Sequence, residues 1–261
     1  MTVGLDLTIS QILSPFKNTK LVILALLANF VLVPLFALGL ISVFHVSEGV
    51  RIGIILLSLG SGSSFIPLVI KMANGHVAGS VALMVQLLIM TILLMPIAVP
   101  LLLPGASVSS WDIAKSLGFA MLAPLAIAIY IKENFSDIAV RLQPFAVKLT
   151  KISLLILFTS MGLLYSETII SNYVALPIIL LFFLGTVAIG CVSGGKSNNT
   201  RMVMSVGAGL RNTPVALLVA SQSFPANPMA AVIPLFLVIT SVPALFLLAA
   251  IIRKKKLLSP T

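Results

Sequence analysis

Acidic side chains are scarce in this 261-residue chain, and their positions matter as much as their number. Only six occur, Asp6, Glu48, Asp112, Glu133, Asp137 and Glu167, and each lies in a loop or at the end of an apolar run. No carboxylate therefore remains within a run to hold a metal ion, relay a proton or form half of a catalytic pair. Histidine is rarer still: His45 and His76 both fall in loops, neither with a metal-ligand partner at useful spacing. With no Ser/His/Asp arrangement and no phosphate loop, enzymatic chemistry has nothing to stand on, and no cofactor is expected. The single cysteine, Cys191, excludes an intrachain disulfide and reads as a buried, inert thiol. The N-terminus, Met1-Thr2-Val3-Gly4-Leu5-Asp6, lacks a basic region ahead of an apolar one, so no cleavable signal peptide is predicted.

What the chain has in abundance is apolar length. It is 59% hydrophobic and 8% charged, with a mean hydropathy of +1.21. Runs of about 20 apolar residues recur from end to end, the signature of membrane-spanning helices. The net charge of +10 does not point to nucleic acid, because the basic residues form no stripe with interleaved aromatics. They collect instead in the loops between runs.

Eight spans are predicted, at residues 20–44, 51–72, 77–103, 113–131, 152–166, 173–192, 201–223 and 229–252. Residues 1–19 form an amphipathic segment at best, and 253–261 a basic tail. With the N-terminus in the cytoplasm and alternating sides, 13 of the 16 basic residues fall inside, Arg51 and Lys115 fall outside, and Arg211 lies within a span. That bias predicts a multi-pass protein of the plasma membrane with both termini cytoplasmic.

Two stretches interrupt spans: Gly60-Ser61-Gly62-Ser63-Ser64-Phe65-Ile66-Pro67 and Gly207-Ala208-Gly209-Leu210-Arg211-Asn212-Thr213-Pro214. Both read G-x-G-x-x-x-x-P. Glycine tolerates left-handed backbone, while proline lacks an N–H and disfavours helix in the residue before it. Gly60, Gly62, Pro67, Gly207, Gly209 and Pro214 are thus predicted to open two helices. In hydrocarbon an opened helix persists only inside protein or beside a wet cavity. On the predicted topology the two stretches run antiparallel, each between unbroken helices, which matches an inverted-repeat transporter.

Arg211 lies within the second break. A guanidinium at membrane depth faces a partner or water. It can bind the carboxylate of a substrate beside the helix N-terminus that Pro214 opens, or it can bond freed carbonyls of the opposite break. Arg211, Asn212, Thr213, Ser61, Ser63, Ser64 and Asn29 are the predicted substrate-binding residues. Any cation would rest on neutral oxygens, with Asn29, Ser61, Ser63, Ser64, Ser80, Asn212 and unwound backbone carbonyls as candidates and no metal beyond possible sodium.

At these places the chain resembles the bile acid:sodium symporter superfamily. Residues 20–44, with Leu-Leu-Ala-Asn-Phe-Val-Leu-Val-Pro, are similar to its helix ending L-L-L-Q-F-x-x-M-P. Ala73-Asn74-Gly75-His76-Val77-Ala78-Gly79-Ser80-Val81 is similar to its A-x-G-N-x-A-L-S-V segment, and Gly209-Leu210-Arg211-Asn212-Thr213-Pro214-Val215-Ala216 to the end of its E-V-G-M-Q-N-S-G-L-A motif. The resemblance implies an all-α membrane protein of two inverted five-helix repeats, divided into a core and a panel, with two broken helices crossing in the core. Residues 20–103 and 173–252 would then be core and 113–171 panel, and two helices of the panel would be absent, through truncation or a misplaced start. The resemblance also places the family's sodium-binding Gln at Asn29, its Ser-Asn pair among Ser63, Ser64 and Phe65, and its Ser at Ser80, while Met84 replaces a hydroxyl. The family's Glu falls at Gly207 or Ser205 and its Gln at Arg211, while its Asn is kept as Asn212.

A ligand set that loses its anion and gains a cation suits sodium poorly. The expectation is a secondary transporter of small organic anions in which Arg211 replaces the sodium charge. The alternatives are a passive facilitator or channel on the same fold, and a shortened, non-functional homologue. The partners expected are the lipid bilayer and a small organic anion, with no nucleic acid.

Overall fold

The computed structural model describes residues 19–258, and among them every regular element is helical. The expected segment 1–19 and the end of the basic tail 253–261 lie largely outside the described residues.

α1 (Thr19–Phe44) is apolar over most of its length, with Asn29 the polar residue deep inside it, and widens into a π turn at Ala28–Leu32. Val33 there donates to Ala28 O, one residue before Pro34, whose missing N–H an ordinary turn would have needed. α2 (Glu48–Leu59) and α3 (Ile66–Met72) flank the first break. α4 spans Val77–Leu102, and α5 (Ser110–Asn134) repeats the device of α1 with a π turn at Gly118–Leu122 just ahead of Pro124. α6 (Ser136–Leu164), the short α7 (Ser166–Ser171) and α8 (Ala175–Ser193) follow. α9 (Asn198–Gly209) and α10 (Thr213–Ser223) flank the second break, and α11 (Pro228–Leu258) closes the chain.

The core is built around α2, which is buried continuously from Ile52 through Leu59. A pair of glycines four residues apart lets it do so. A Cβ on Gly49 would stand 2.6 Å from Met229 Cβ, and one on Gly53 would stand 2.4 Å from Ile233 Cβ, so α2 and α11 meet with backbone nearly against side-chain stems. In a bilayer this close packing drives helix association, because lipid is as apolar as the helices themselves. The second half of α5 packs on α6 through a separate small cluster of Ala128, Ala139, Ile131 and Ala146.

Among the described residues, six helices are long and apolar enough to cross a membrane: Thr19–Phe44, Val77–Leu102, Ser110–Asn134, Ala175–Ser193, Asn198–Ser223 and Pro228–Ala250. Two of the eight predicted spans are not among them. Residues 51–72 divide into two helices, Glu48–Leu59 and Ile66–Met72, held apart by the longer of the two breaks, whereas α9 and α10 are nearly continuous. Residues 152–166 are mostly the end of α6, whose earlier turns carry Arg141, Lys148 and Lys151.

Candidate functional site

The two breaks meet main chain to main chain. The first runs from Gly60 to Phe65, where Pro67 enters the opening turn of α3, and Gly62 takes φ +81°. A Cβ at Gly62 would lie 2.5 Å from Leu88 N, so both the left-handed backbone and the approach to α4 require glycine. The second break is shorter than its sequence pattern. Gly207 and Gly209 remain helical in α9, only Leu210–Asn212 are open, and Pro214 stands in the first turn of α10. These glycines serve packing rather than opening: a Cβ at Gly207 would meet Leu83 Cδ2 at 2.5 Å, and one at Gly209 would meet Val187 Cγ2 at 2.6 Å.

Opening a helix strands the last carbonyls of its N-terminal half. At the crossing several of them find donors from the opposite half. Gly60 N donates to Leu56 O at 2.9 Å, and Asn212 N donates across the crossing to Gly60 O at 3.0 Å. Asn212 Nδ2 lies 3.4 Å from both Ser61 O and Gly62 O. Thr91 of α4 stands in for a missing peptide unit. Its Oγ1 accepts from Ser61 N at 2.9 Å and donates to Ser61 O at 3.1 Å, and the side chain is completely buried.

Arg211 supplies the remaining donors. Its Nε donates to Leu57 O at 2.9 Å and its Nη2 to Ser58 O at 2.5 Å, both at the C-terminal end of α2. Nη1 donates to Asn29 Oδ1 at 2.8 Å and, more weakly, to Ala208 O at 3.4 Å in the last turn of α9. Four of the five guanidinium N–H groups are thereby used inside the protein, and the residue is 3% exposed. Asn29 lies in the π turn of α1, accepts from Ser61 Oγ at 3.1 Å, and is held by its own Nδ2 on Ala25 O at 3.0 Å.

No carboxylate pairs with Arg211 among the described residues. The charge is met instead by two helix C-termini, α2 and α9, each worth about half a negative charge, so that together they balance about one unit. Of the two roles open to Arg211, the geometry matches the bonding of freed carbonyls.

Two cavities flank the crossing. One, of about 230 Å³, lies between the first break, α4, α5 and α10, with Ser64, Leu88, Pro124 and Asn212 in its wall. The other, of about 50 Å³, lies on the α11 side and is lined by Ser63, Ser64, Arg211, Asn212, Thr213 and Ser241. Ser64 is exposed and reaches both. The structure therefore brings Asn29, Ser61, Ser63, Ser64, Arg211, Asn212 and Thr213 together. It does not bring Ser80 or Ser205 there. Ser80 Oγ donates to Val77 O at 2.6 Å within its own helix, and Ser205 lines a separate crevice among α3, α8, α9 and α11. Thr91 was missing from the sequence-based set, although a lone hydroxyl deep in an apolar span was its visible signal.

No curated protein matches the chain. The model of the sodium bile acid symporter family matches residues 1–175, a stretch that holds the first break and ends before the second. That match covers well over half of the chain, and it agrees with the six apolar spans around an opened helix. The chain is a multi-pass membrane protein of the sodium bile acid symporter family, a family of transporters.

Proposed function

We propose that this protein is a secondary carrier of small organic anions in which Arg211 takes the place of a coupling sodium ion. The observation that carries the proposal is where the guanidinium lies: at the meeting point of two half-helix C-termini, on Asn29 Oδ1 and on carbonyls of the first break. In carriers with broken helices, unwound carbonyls and half-helix C-termini are where a coupling cation is held. Here a cation is already present, and it is covalently attached.

Substrate would occupy the cavity of about 230 Å³ beside Ser64 and the first turn of α10. That volume is below the roughly 300–1,000 Å³ of sites for drug-sized ligands, so a small carboxylate fits the reading better than a steroid. Arg211 acts on such a substrate through its field, since its fork is occupied. The loop charges support an orientation with Lys71, Lys196 and Arg201 at the cytoplasmic end. On this reading the two short helices α2 and α3, with α6, complete eight crossings.

Uptake of a radiolabelled small carboxylate into proteoliposomes, with and without an inward sodium gradient, tests the proposal. Saturable uptake with counterflow and no sodium dependence is expected. Strict sodium dependence would overturn the tethered-cation reading, and non-saturating flux without counterflow would replace the carrier with a facilitator.

A further inference from the structure

The crevice among α3, α8, α9 and α11, of about 250 Å³, lies apart from the crossing, where three spans end. Arg201 is in the first turn of Asn198–Ser223, Cys191 in the last turn of Ala175–Ser193, and Leu248 near the end of Pro228–Ala250. That is the depth at which hydrocarbon gives way to headgroups. Leu248 is 43% exposed, so the crevice opens sideways, on the surface that faces lipid.

Two polar side chains, Arg201 and Ser205, stand in its otherwise apolar wall. They are four residues apart on one face of α9, and so about 6 Å apart along its axis. Arg201 Nε donates to Cys191 O at 3.4 Å, while its two Nη groups have no partner among the described residues. Ser205, half-buried, makes no side-chain hydrogen bond there either, whereas Ser80, Thr186 and Ser193 each bond a carbonyl of their own helix. Charge is the second, independent feature. None of the four helices contains a carboxylate, and no Asp or Glu occurs between Glu48 and Asp112 or after Glu167. Lys71 in the last turn of α3 and Lys196 just ahead of α9 are exposed near the same rim. A lipid-facing apolar groove, with free guanidinium nitrogens at its headgroup end and no acid to repel a phosphate, is complementary to an anionic amphiphile.

We propose that this crevice binds an anionic phospholipid. The phosphate takes the Arg201 fork, a glycerol ester carbonyl accepts from Ser205 Oγ, and an acyl chain fills the apolar length between α3 and α11. Because α3 and α9 are halves of the two different opened helices, one lipid joins them at the end away from the crossing. The cytoplasmic leaflet rests on the orientation proposed above, whereas the chemistry does not.

Native mass spectrometry of the full chain in detergent is the test, with phosphatidylglycerol, phosphatidylcholine of the same acyl chains and glycerol 3-phosphate added in turn. One phosphatidylglycerol should bind about fivefold more tightly than phosphatidylcholine, whose choline cation cancels the phosphate charge. Arg201→Gln should erase that preference, and Arg201→Lys, which keeps the charge without the fork, should retain part of it. Lys132→Gln, in the last turn of α5 and outside the crevice, should leave it unchanged. Ser205→Phe fills the groove and should weaken both lipids, with a melting curve to show that the variant is folded. Equal binding of the two lipids by wild type, a preference that survives Arg201→Gln, or one that Lys132→Gln removes as well would overturn the proposal. So would undiminished lipid binding by a folded Ser205→Phe variant. Glycerol 3-phosphate binding as tightly as phosphatidylglycerol would mark a free phosphate site and refute the lipid. None of these readouts depends on transport, so they stand or fall apart from the carrier reading.

Discussion

Replacing Arg211 by methionine separates a charge that substitutes for sodium from one that merely braces the crossing. Methionine fills much of the space of the arginine stem but withdraws its three short donations, at 2.9, 2.8 and 2.5 Å, and the charge facing two helix C-termini. Leu57 O, Ser58 O and Asn29 Oδ1 then point into one vacated space. Leaving Leu57 O and Ser58 O without a donor costs about 1–3 kcal/mol for each, and for a domain of this size each kcal/mol is worth about 2–4 °C in melting temperature. A fall of about 10 °C is therefore expected in buffer without sodium. The space left behind has carbonyl oxygens and a net negative dipole, so it should admit a small cation. If sodium binds there with a Kd of about 10 mM, 100 mM sodium returns about 1.4 kcal/mol, or about 3–6 °C. The assay is thermal unfolding in detergent, comparing sodium chloride with N-methylglucamine chloride at equal ionic strength. Wild type should be indifferent to the exchange and Arg211→Met should respond. A sodium response of equal size in both proteins, or in neither, would refute the assignment of the guanidinium to a cation site.

Thr91→Val leaves Ser61 N unpaired inside the protein, at about 1–3 kcal/mol, and Ser61 O with only the long contact to Asn212 Nδ2, and should lower the melting temperature and stop transport. Thr91→Ser keeps the hydroxyl and should restore both, which a purely volumetric role would not require. Gly53→Ala drives a methyl into Ile233 and should destabilise by about 1–3 kcal/mol in the same unfolding assay; adding Ile233→Ala should recover little of that loss, because alanine keeps the Cβ that the methyl meets. On the tethered-cation reading each turnover moves only the charge of the substrate. At equilibrium, 100 mV inside-negative should lower accumulation of a monoanion by about fiftyfold, measured with valinomycin-clamped proteoliposomes. Potential-independent accumulation would show that a second ion travels with the anion.

The apolar spans, the two openings and the depth of Arg211 were legible because each depends on local chemistry: run length, Gly and Pro punctuation, and a charge within a run. The positions of the openings were half legible. Gly60, Gly62 and Pro67 bound the first break as their backbone preferences suggest, whereas Gly207 and Gly209 look identical in sequence yet remain helical. The difference is tertiary. Leu83 and Val187 press against α9 at those two glycines, and only a residue without a side chain lets them approach. Glycine supplies either freedom or thinness, and sequence does not say which. The same ambiguity affected Arg211, since a guanidinium beside a helix start can face out to a substrate anion or back to carbonyls. What decides it is where α2 ends. Because α2 stops at Leu59, Leu57 O and Ser58 O come free at the crossing, and Asn29 is turned toward the same point by the π turn ahead of Pro34. Two consecutive helices, α1 and α2, thus define one cation-shaped space. A residue 154 positions beyond Leu57 fills it, and no local pattern could have announced that pairing.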